Sequence, residues 1–314
     1  MMGRFLIKER SQMKKIIALA LMTTAMSSAA FADAHAISEF RIGILGGENA
    51  QDRMNSNECL RIAVEDALGV PTRLFAPADY NGVIQGLLGG TIDLSLMGPS
   101  SYAAVYIADP EAVSPILVKI NADGSTGYYS IGFARADSGV TSLEGMQDKV
   151  FGFGDPNSTS GYLIPSVEIP ALISATMESG DYFGEVRFTG GHEQTIVAVN
   201  NGDVDGGVTW TDGQGNWEDG YTFGALRKAV DAGLVDMNDL TEIWRSRLIP
   251  GEPVVLRNAL PEDVRATVTG IIDTMGETDP ECATAIAGGE VTGFDPITHD
   301  AYTSIVAARL AKSN

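Results

Sequence analysis

The sequence contains one supersecondary pattern twice, and this repeat constrains the fold more than any other feature. In the first copy, Tyr80–Gly90 has the pattern of a helix that ends in Gly-Gly, followed by Asp93 and an apolar strand. In the second copy, His192–Gly202 has the pattern of a helix that ends in Asn-Gly, followed by Asp205 and a strand. Thirteen positions separate the first helical residue from the aspartate in both copies. The repeat predicts one βαβ unit in each of two similar lobes, although two ordinary αβ turns could also match by chance.

Short apolar strands alternate with helical stretches along most of the chain. This alternation predicts an α/β fold with mostly parallel sheets flanked by helices. Parallel sheets bind ligands at the carboxyl ends of their strands, where the following helices begin. Tyr80 and His192 are therefore expected to face a shared crevice. The predicted strands are 40–45, 113–119, 128–134, 150–153 and 205–210, and a helix is predicted over 55–68.

The N-terminus has the layout of a secretory signal peptide. Lys14 and Lys15 precede an apolar run over 16–26, and small residues lead to Ala30-Phe31-Ala32. This arrangement predicts a signal peptide over residues 1–32, with cleavage after Ala32 and export to the periplasm.

Charge and cysteine content narrow the possible partners. The chain carries −20, and residues 1–32 hold five basic side chains and one acidic, so the remainder carries about −24. Nucleic acid and anionic membrane surfaces are poor partners for such a chain. Cys59 and Cys282 could form a disulfide after export or remain two buried thiols. The cysteines and the three histidines have no metal-site spacing, and we expect no metal and no cofactor.

The strongest local signal is Gly-Asp-Pro-Asn-Ser-Thr-Ser-Gly at 154–161. It follows a predicted strand and precedes a helical stretch. Ser158, Thr159 and Ser160 can therefore present hydroxyl and backbone N–H groups together at a helix N-terminus, where a tetrahedral oxyanion finds convergent donors. An ordinary capping turn would account for the same residues.

This candidate site is expected to use uncharged donors. No Lys or Arg occurs between Lys149 and Arg187. Such a site favours an anion that is hydrogen-bonded out of water. His192 could donate a further hydrogen bond, although a lone histidine is more often a structural residue.

A second group of residues has the opposite chemistry. Asp212 ends a strand and Glu252 lies in a Pro-Gly-Glu-Pro turn, so the two carboxylates could pair with an ammonium group if they converge. Trp210 and Tyr80 could form the pocket walls and contact a cation through their ring faces.

Taken together, these residues resemble the phosphonate-binding proteins of ABC importers, the PhnD family. The string at 155–161 is the specific part of the resemblance, which is densest in 78–80, 123–128, 154–161, 191–193 and 248–253. It implies a two-lobed periplasmic binding protein of type II with a hinged cleft. It also implies that Ser158, Thr159, Ser160 and His192 hold the phosphonate oxygens, that Tyr80 lines the pocket, and that Asp212 and Glu252 receive the amino group of 2-aminoethylphosphonate.

The sequence departs from the family pattern at three positions. The family has Glu where Asp212 stands and Asp where Glu252 stands, and a second family tyrosine falls at Met97. These departures concern the organic part of the ligand and leave the phosphonate-binding residues in place.

The sequence thus predicts lobe 1 over 37–135 and 250–314, and lobe 2 over 136–249. The expected function is capture of a phosphonate, foremost 2-aminoethylphosphonate, by a monomer that delivers it to the permease subunits of an ABC importer. Phosphite, methylphosphonate and phosphate are alternative ligands. A hydrolase that uses Ser158 or Ser160 with His192 and Asp212 is a distant alternative, because neither serine lies in a G-x-S-x-G motif.

Overall fold

The structure, a computed structural model, describes residues 37–313. The predicted signal peptide lies outside these residues. Within residues 37–313, no helix combines the length and apolar character that a membrane span requires.

The described residues form two six-stranded sheets with helices packed on them. The strands are β1 (Phe40–Ile44), β2 (Thr72–Phe75), β3 (Leu94–Leu96), β4 (Val113–Asn121), β5 (Gly127–Arg135), β6 (Val150–Phe153), β7 (Glu185–Phe188), β8 (Gly206–Thr211), β9 (Leu240–Arg245), β10 (Ile249–Pro250), β11 (Pro253–Arg257) and β12 (Val291–Pro296). The helices are α1 (Ala50–Leu68), α2 (Tyr80–Gly89), α3 (Pro99–Ala108), α4 (Ile164–Ile173), α5 (His192–Asn201), α6 (Ala225–Asp231), α7 (Glu262–Asp273), α8 (Met275–Thr278), α9 (Pro280–Ala287) and α10 (Thr303–Ser313).

The two sheets have the same plan. The first has the order β12-β4-β11-β3-β1-β2, and the second has the order β10-β5-β8-β6-β7 with β9 also paired to β5. We call the first sheet with its helices lobe 1 and the second sheet with its helices lobe 2. In lobe 1, β1–β4 run in one direction and β11 and β12 run in the other. In lobe 2, only β5 of the six strands runs against the rest. The prediction of an α/β fold with helices flanking two sheets is confirmed. The sheets are mixed rather than mostly parallel, because among residues 37–313 four strand pairs are parallel and six are antiparallel.

Two of the strands with reversed direction, β5 and β11, directly follow the points where the chain passes between the sheets. The chain leaves lobe 1 at residues 122–126 and returns at residues 251–252. β5 is therefore the first strand of the lobe 2 sheet, and β11 joins the lobe 1 sheet after the return. The predicted first crossing near residue 135, which assigns 127–135 to lobe 1, is therefore misplaced. In the structure this segment pairs with β8 and β9 of lobe 2. The crossing comes earlier because an Asp-Gly turn, with Gly124 at φ +84°, ends β4.

The repeat predicted from the sequence is present in three dimensions. Both α2 and α5 end at a left-handed glycine. Asp93 accepts a hydrogen bond from the backbone N–H of Arg41 at 3.0 Å. Asp205 accepts the equivalent bond from Val150 at 2.8 Å. The two aspartates therefore have the same structural role, because each ties the start of its own strand to the neighbouring parallel strand, β1 in lobe 1 and β6 in lobe 2.

One covalent link lies within lobe 1. Cys59 of α1 and Cys282 of α9 form a disulfide, which settles the alternative that the sequence left open. The bond lies in the core that packs α1, α7 and α9 against the first sheet.

Candidate ligand-binding cleft

The two equivalent helix starts meet across the cleft. The backbone N–H of His192, the first residue of α5, donates to the carbonyl of Gly47 in lobe 1 at 2.8 Å. A Cβ at Gly191 would lie 2.5 Å from the Cα of Gly47, and a Cβ at Gly47 would lie 2.7 Å from the hydroxyl of Tyr80. Glycine at both positions thus allows direct backbone contact between the lobes.

The hydroxyl-rich loop folds into one tight turn at the end of β6. The N–H of Leu163 donates to the carbonyl of Ser158 at 3.0 Å, a five-residue spacing that makes Thr159–Leu163 a π-helical turn ahead of α4. The Ser158 hydroxyl accepts from the N–H of Gly161 at 3.0 Å. The capping turn weighed from the sequence is therefore real. It does not exclude a ligand role, because the capping hydroxyl still has a proton to donate.

Thr159 and Ser160 are buried in the same turn. The hydroxyl of Thr159 accepts from the N–H of Ser100 in lobe 1 at 2.8 Å, so this side chain already bridges the lobes. The carbonyl of Ser160 accepts from the hydroxyl of Ser130 at 2.7 Å. Both bonds fix the turn, and the side-chain hydroxyls of Thr159 and Ser160 each keep a proton for a further acceptor.

His192 is buried and neutral. Its Nε2 lies 3.4 Å from the Ser158 hydroxyl and its Nδ1 lies 3.2 Å from the Thr209 hydroxyl. Burial lowers its pKa to about 4, and the opposing effect of Glu48 does not outweigh this. The partner of Nδ1 is thus a hydroxyl, whereas the distant hydrolase alternative requires Asp212 at that position.

Two tyrosines complete the hydroxyl cluster. Burial raises the pKa of Tyr80, and the nearby Ser158 hydroxyl acts against this rise. Burial also raises the pKa of Tyr128, and the nearby hydroxyls of Thr159 and Ser160 act against this rise. Both phenols are therefore uncharged donors. Tyr128 is not among the site residues predicted from the sequence, where it only starts a strand; its position in the segment 123–128, which carries part of the family resemblance, was the available signal.

Three charged side chains border this cluster, and none of them is among the predicted site residues. Glu48, in the loop after β1, accepts from Lys228 of α6 at 2.8 Å and from the indole N–H of Trp210 at 3.2 Å. It also pairs with Arg53 at 3.3 Å. Burial alone would raise the pKa of Glu48, but Lys228 and Arg53 outweigh it and hold the net value far below the ordinary range.

Cations also reach the cleft, although none lies close to the hydroxyl loop in the sequence. The absence of Lys and Arg near the hydroxyl loop held only along the sequence, since Arg53 and Lys228 arrive from other elements. The Nε of Arg53 is one of two buried side-chain polar atoms in residues 37–313 that have no hydrogen-bond partner.

The two predicted acids lie near a buried lysine. Lys119 of β4 places its Nζ 4.0 Å from Glu252 Oε2. Asp212 is half-buried and accepts from the N–H of Gln214 at 3.2 Å. Burial raises its pKa, and Lys119 acts against that rise. Both acids therefore interact electrostatically with Lys119, a cation of the protein itself.

A cavity of about 290 Å³ lies between the lobes, and Asp212 is not among the residues that line it. Four of the predicted site residues are among those that line it: Tyr80, His192, Trp210 and Glu252. The three hydroxyl residues Ser158, Thr159 and Ser160 lie next to Tyr80, Tyr128 and His192 and are each at most 3% exposed. Met97, at the position of the second family tyrosine, is fully buried. Across residues 37–313, no cluster of His, Cys, Asp and Glu could hold a metal ion.

The fold and the cleft define a periplasmic binding protein of type II, with two lobes. Comparison with known proteins gives the family. The profile described as ABC transporter, phosphonate, periplasmic substrate-binding protein matches residues 42–302. The chain belongs to this family of periplasmic substrate-binding components of phosphonate ABC transporters.

Curated relatives and solved structures agree with this assignment. The phosphonates-binding periplasmic protein of Escherichia coli is 30% identical over 277 residues, which cover 86% of this chain and 77% of the relative. The phosphate-import protein PhnD of Mycolicibacterium smegmatis is 27% identical and covers 71% of this chain and 67% of its own length. A binding-protein component of the phosphonate ABC transporter of Pseudomonas aeruginosa superposes with a TM-score of 0.75 at 25% identity, over 88% of this chain and 86% of that structure. A Prochlorococcus marinus protein solved with methylphosphonate shares the fold, with a TM-score of 0.71 at 17% identity over 88% and 98% of the two chains.

Proposed function

We propose that the cleft captures the phosphonate group through uncharged donors supplied by Ser158, Thr159, Ser160, His192 and Tyr80, with Tyr128 as a further donor. The observation that carries this proposal is the convergence of buried hydroxyls and one neutral imidazole at the starts of α5 and the π-helical turn. Helix N-termini add unpaired backbone N–H groups and a positive dipole end. A buried oxyanion is stable where it receives several such donors.

The proposed capture step uses the contact between lobes. Tyr80 and Ser100 come from lobe 1 and the hydroxyl loop comes from lobe 2, so the donor set is complete only when the lobes meet. Opening at the crossings 122–126 and 251–252 would admit the ligand, and closing would remove it from water. The closed protein would then deliver the ligand, as a monomer, to the permease subunits of its importer.

The donor cluster can be tested by substitution. Ser158→Ala with Ser160→Ala should weaken phosphonate binding by at least about 100-fold, because two hydrogen bonds to a buried anion are lost. Isothermal titration calorimetry with methylphosphonate and ethylphosphonate measures this. Ser166→Ala is the matched control: Ser166 is a buried serine of α4 whose hydroxyl donates to the carbonyl of Leu163 at 2.8 Å. An affinity of the folded double variant close to that of the unmodified protein would refute the proposed donors.

Which phosphonate or related oxyanion the cleft prefers needs a separate experiment. The sequence predicts 2-aminoethylphosphonate, on the basis of Asp212 and Glu252. Phosphite, methylphosphonate and phosphate are the alternatives, and the names of two similar proteins mention phosphate and methylphosphonate. Calorimetry with 2-aminoethylphosphonate, ethylphosphonate and phosphate separates them. Equal affinity for the ethyl and aminoethyl compounds would show that the two acids do not receive a ligand amine.

Export through a cleaved signal peptide belongs to the same proposal. The layout of residues 1–32 supports it, and a periplasmic family requires export. Mass spectrometry of protein from the periplasmic fraction should give an N-terminus at Asp33. A mature chain that retains the segment 16–26 would contradict it.

A further inference from the structure

The carboxyl end of β4 holds an ammonium group inside a cage of the kind that binds cationic ligands. The Nζ of Lys119 lies 5.3 Å from the ring centre of Trp210 and 5.8 Å from that of Phe223. Both distances are within the range of a cation–π contact. The side chain of Lys119 is only 8% exposed, so this cation is held away from water.

The remaining sides of the cage are negative. The Nζ of Lys119 donates to the carbonyl of Ala287 at 3.3 Å. Ala287 is the last residue of α9, and the C-terminal end of a helix attracts cations. Glu252 lies on another side at 4.0 Å. Asp212 also acts on the lysine: burial lowers the pKa of Lys119, while Glu252 and Asp212 oppose that shift.

The cage is part of the cleft. Trp210 and Glu252 line the cavity, as do Phe223 and Ala287. The ring of Phe223 packs on lobe 1, because a Cβ at Gly289 would lie 2.3 Å from its Cγ. Lobe 2 therefore supplies the aromatic walls and lobe 1 supplies the lysine, so the cage is assembled where the lobes meet.

Two aromatic faces, a helix C-terminus and two carboxylates are what a ligand ammonium would need, and here the protein provides that ammonium itself. We propose that Lys119 is the resident occupant of this cage, and that the cleft selects phosphonates with a small uncharged organic group over 2-aminoethylphosphonate. This inference rests on the proposed phosphonate capture. A second ammonium would meet Lys119 at close range, and Lys228, whose Nζ lies 5.1 Å from the Phe223 ring centre, adds to the repulsion.

The experiment compares 2-aminoethylphosphonate with n-propylphosphonate, in which a methyl group replaces the ammonium group. We expect the unmodified protein to bind propylphosphonate at least about tenfold more tightly, since like charges in a desolvated site repel. Lys119→Met removes the charge at similar length. It should shift the ratio of the two affinities at least about tenfold toward 2-aminoethylphosphonate, because Glu252 then lacks a partner.

Two further variants test whether the shift in the affinity ratio comes from the cage. In Lys119→Met with Glu252→Gln, the shift toward 2-aminoethylphosphonate should disappear, because the vacated cage no longer has this carboxylate. Lys149→Met is the control, because Lys149 precedes β6 at the end opposite to the cleft, and it should keep the ratio of the unmodified protein. Tighter binding of 2-aminoethylphosphonate by the unmodified protein would overturn the inference, and so would an unchanged ratio in folded Lys119→Met. The first comparison needs no variant, so a folding defect cannot prevent the test. If none of 2-aminoethylphosphonate, propylphosphonate and methylphosphonate binds the unmodified protein, the proposed function fails and the inference fails with it. If only 2-aminoethylphosphonate binds, the inference alone fails.

Discussion

β1 of lobe 1 and β6 of lobe 2 have equivalent places in their sheets, and each is followed by a loop and a helix. The two loops differ in their chemistry. In lobe 1 this loop presents the ionised carboxylate of Glu48, which reaches Lys228 and Trp210 across the cleft. In lobe 2 the equivalent loop ends in Ser158 and its neighbouring hydroxyls, which meet Tyr80 and Ser100 of lobe 1. The shared plan brings the strand ends together, and the residues on the two loops differ. The loop of lobe 2 supplies neutral donors that join Tyr80 of lobe 1, and the loop of lobe 1 supplies a charged contact.

The first way to test this comparison uses the disulfide, which only lobe 1 has among the described residues. Cys59→Ser with Cys282→Ser should lower the free energy of unfolding by about 4 kcal/mol, because a long closed loop restricts the unfolded chain. The two cysteines are separated by 223 residues, so the loop that the disulfide closes is long.

The tryptophans allow the effect to be assigned to one lobe. All three, Trp210, Trp217 and Trp244, lie in lobe 2. Urea unfolding followed by circular dichroism should shift more than unfolding followed by tryptophan fluorescence. Equal shifts by both probes would mean that the lobes unfold as one unit and that the comparison does not extend to stability.

The equivalent aspartates provide the second test. Asp93 is fully buried and pairs with both Arg41, at 3.1 Å, and Arg257, at 2.7 Å. Asp93→Asn should destabilise the protein by about 3 kcal/mol, because two partly buried guanidinium groups lose their counter-charge. Asp205→Asn weakens one hydrogen bond, to Val150, and should cost only about 1 kcal/mol. Urea unfolding measures both, and equal costs would show that the arginines around Asp93 add nothing.

The repeat and the strands could be predicted because they follow local rules. The left-handed glycine stops, the thirteen-residue spacing and the apolar alternation are all properties of short segments. The five strands with predicted ranges lie within two residues of their predicted ends, whereas β2, β7 and β9 to β12 were not predicted. The helix predicted from residue 55 begins at Ala50, because the side chain of Asn49 caps it through the N–H groups of Gln51 and Asp52. The crossing near residue 135 was misplaced because apolar patterning does not show which sheet a strand joins.

The chemistry of the site could be predicted only in part, for a related reason. Hydroxyls adjacent in the sequence stay adjacent in the fold, so the loop at 154–161 was visible. Lys119, Arg53 and Lys228 lie on three separate elements, and only the contact between lobes brings them to the cleft. A charge that comes from a distant part of the chain leaves no local pattern. The acids Asp212 and Glu252 were therefore interpreted without the lysine that lies near both.

The contact between the lobes can be broken without changing a donor. Gly191→Ala places a methyl group against Gly47, where the Cβ would be 2.5 Å from the Cα. The φ of Gly191 is extended, at 178°, so alanine adopts the local backbone readily. We expect phosphonate affinity to fall about 100-fold, equal to about 2.7 kcal/mol, with little change in the stability of either lobe. Gly270→Ala on α7 has open space around its Cβ and is the control for binding. Unchanged affinity in Gly191→Ala would show that the lobes bind the ligand without this contact.

The smallest expected effect compares the two helix starts directly. His192 and Tyr80 occupy equivalent positions, but only His192 titrates in mildly acidic solution. Its pKa of about 4 in the folded protein lies below the 6.5 of an exposed histidine, so between these values the unfolded state binds more protons than the folded state. Stability from the neutral imidazole is therefore full above about pH 6.5 and declines as the pH falls toward 4. The loss should reach about 1–2 kcal/mol by about pH 5.

His192→Asn should remove this part of the pH dependence, measured as the difference from the unmodified protein in urea unfolding across that range. Tyr80→Phe should retain it, because a buried phenol with a raised pKa stays protonated throughout. Parallel curves for His192→Asn and the unmodified protein would mean that the imidazole reaches water in the folded state, and that the two helix starts do not differ in the way the structure shows.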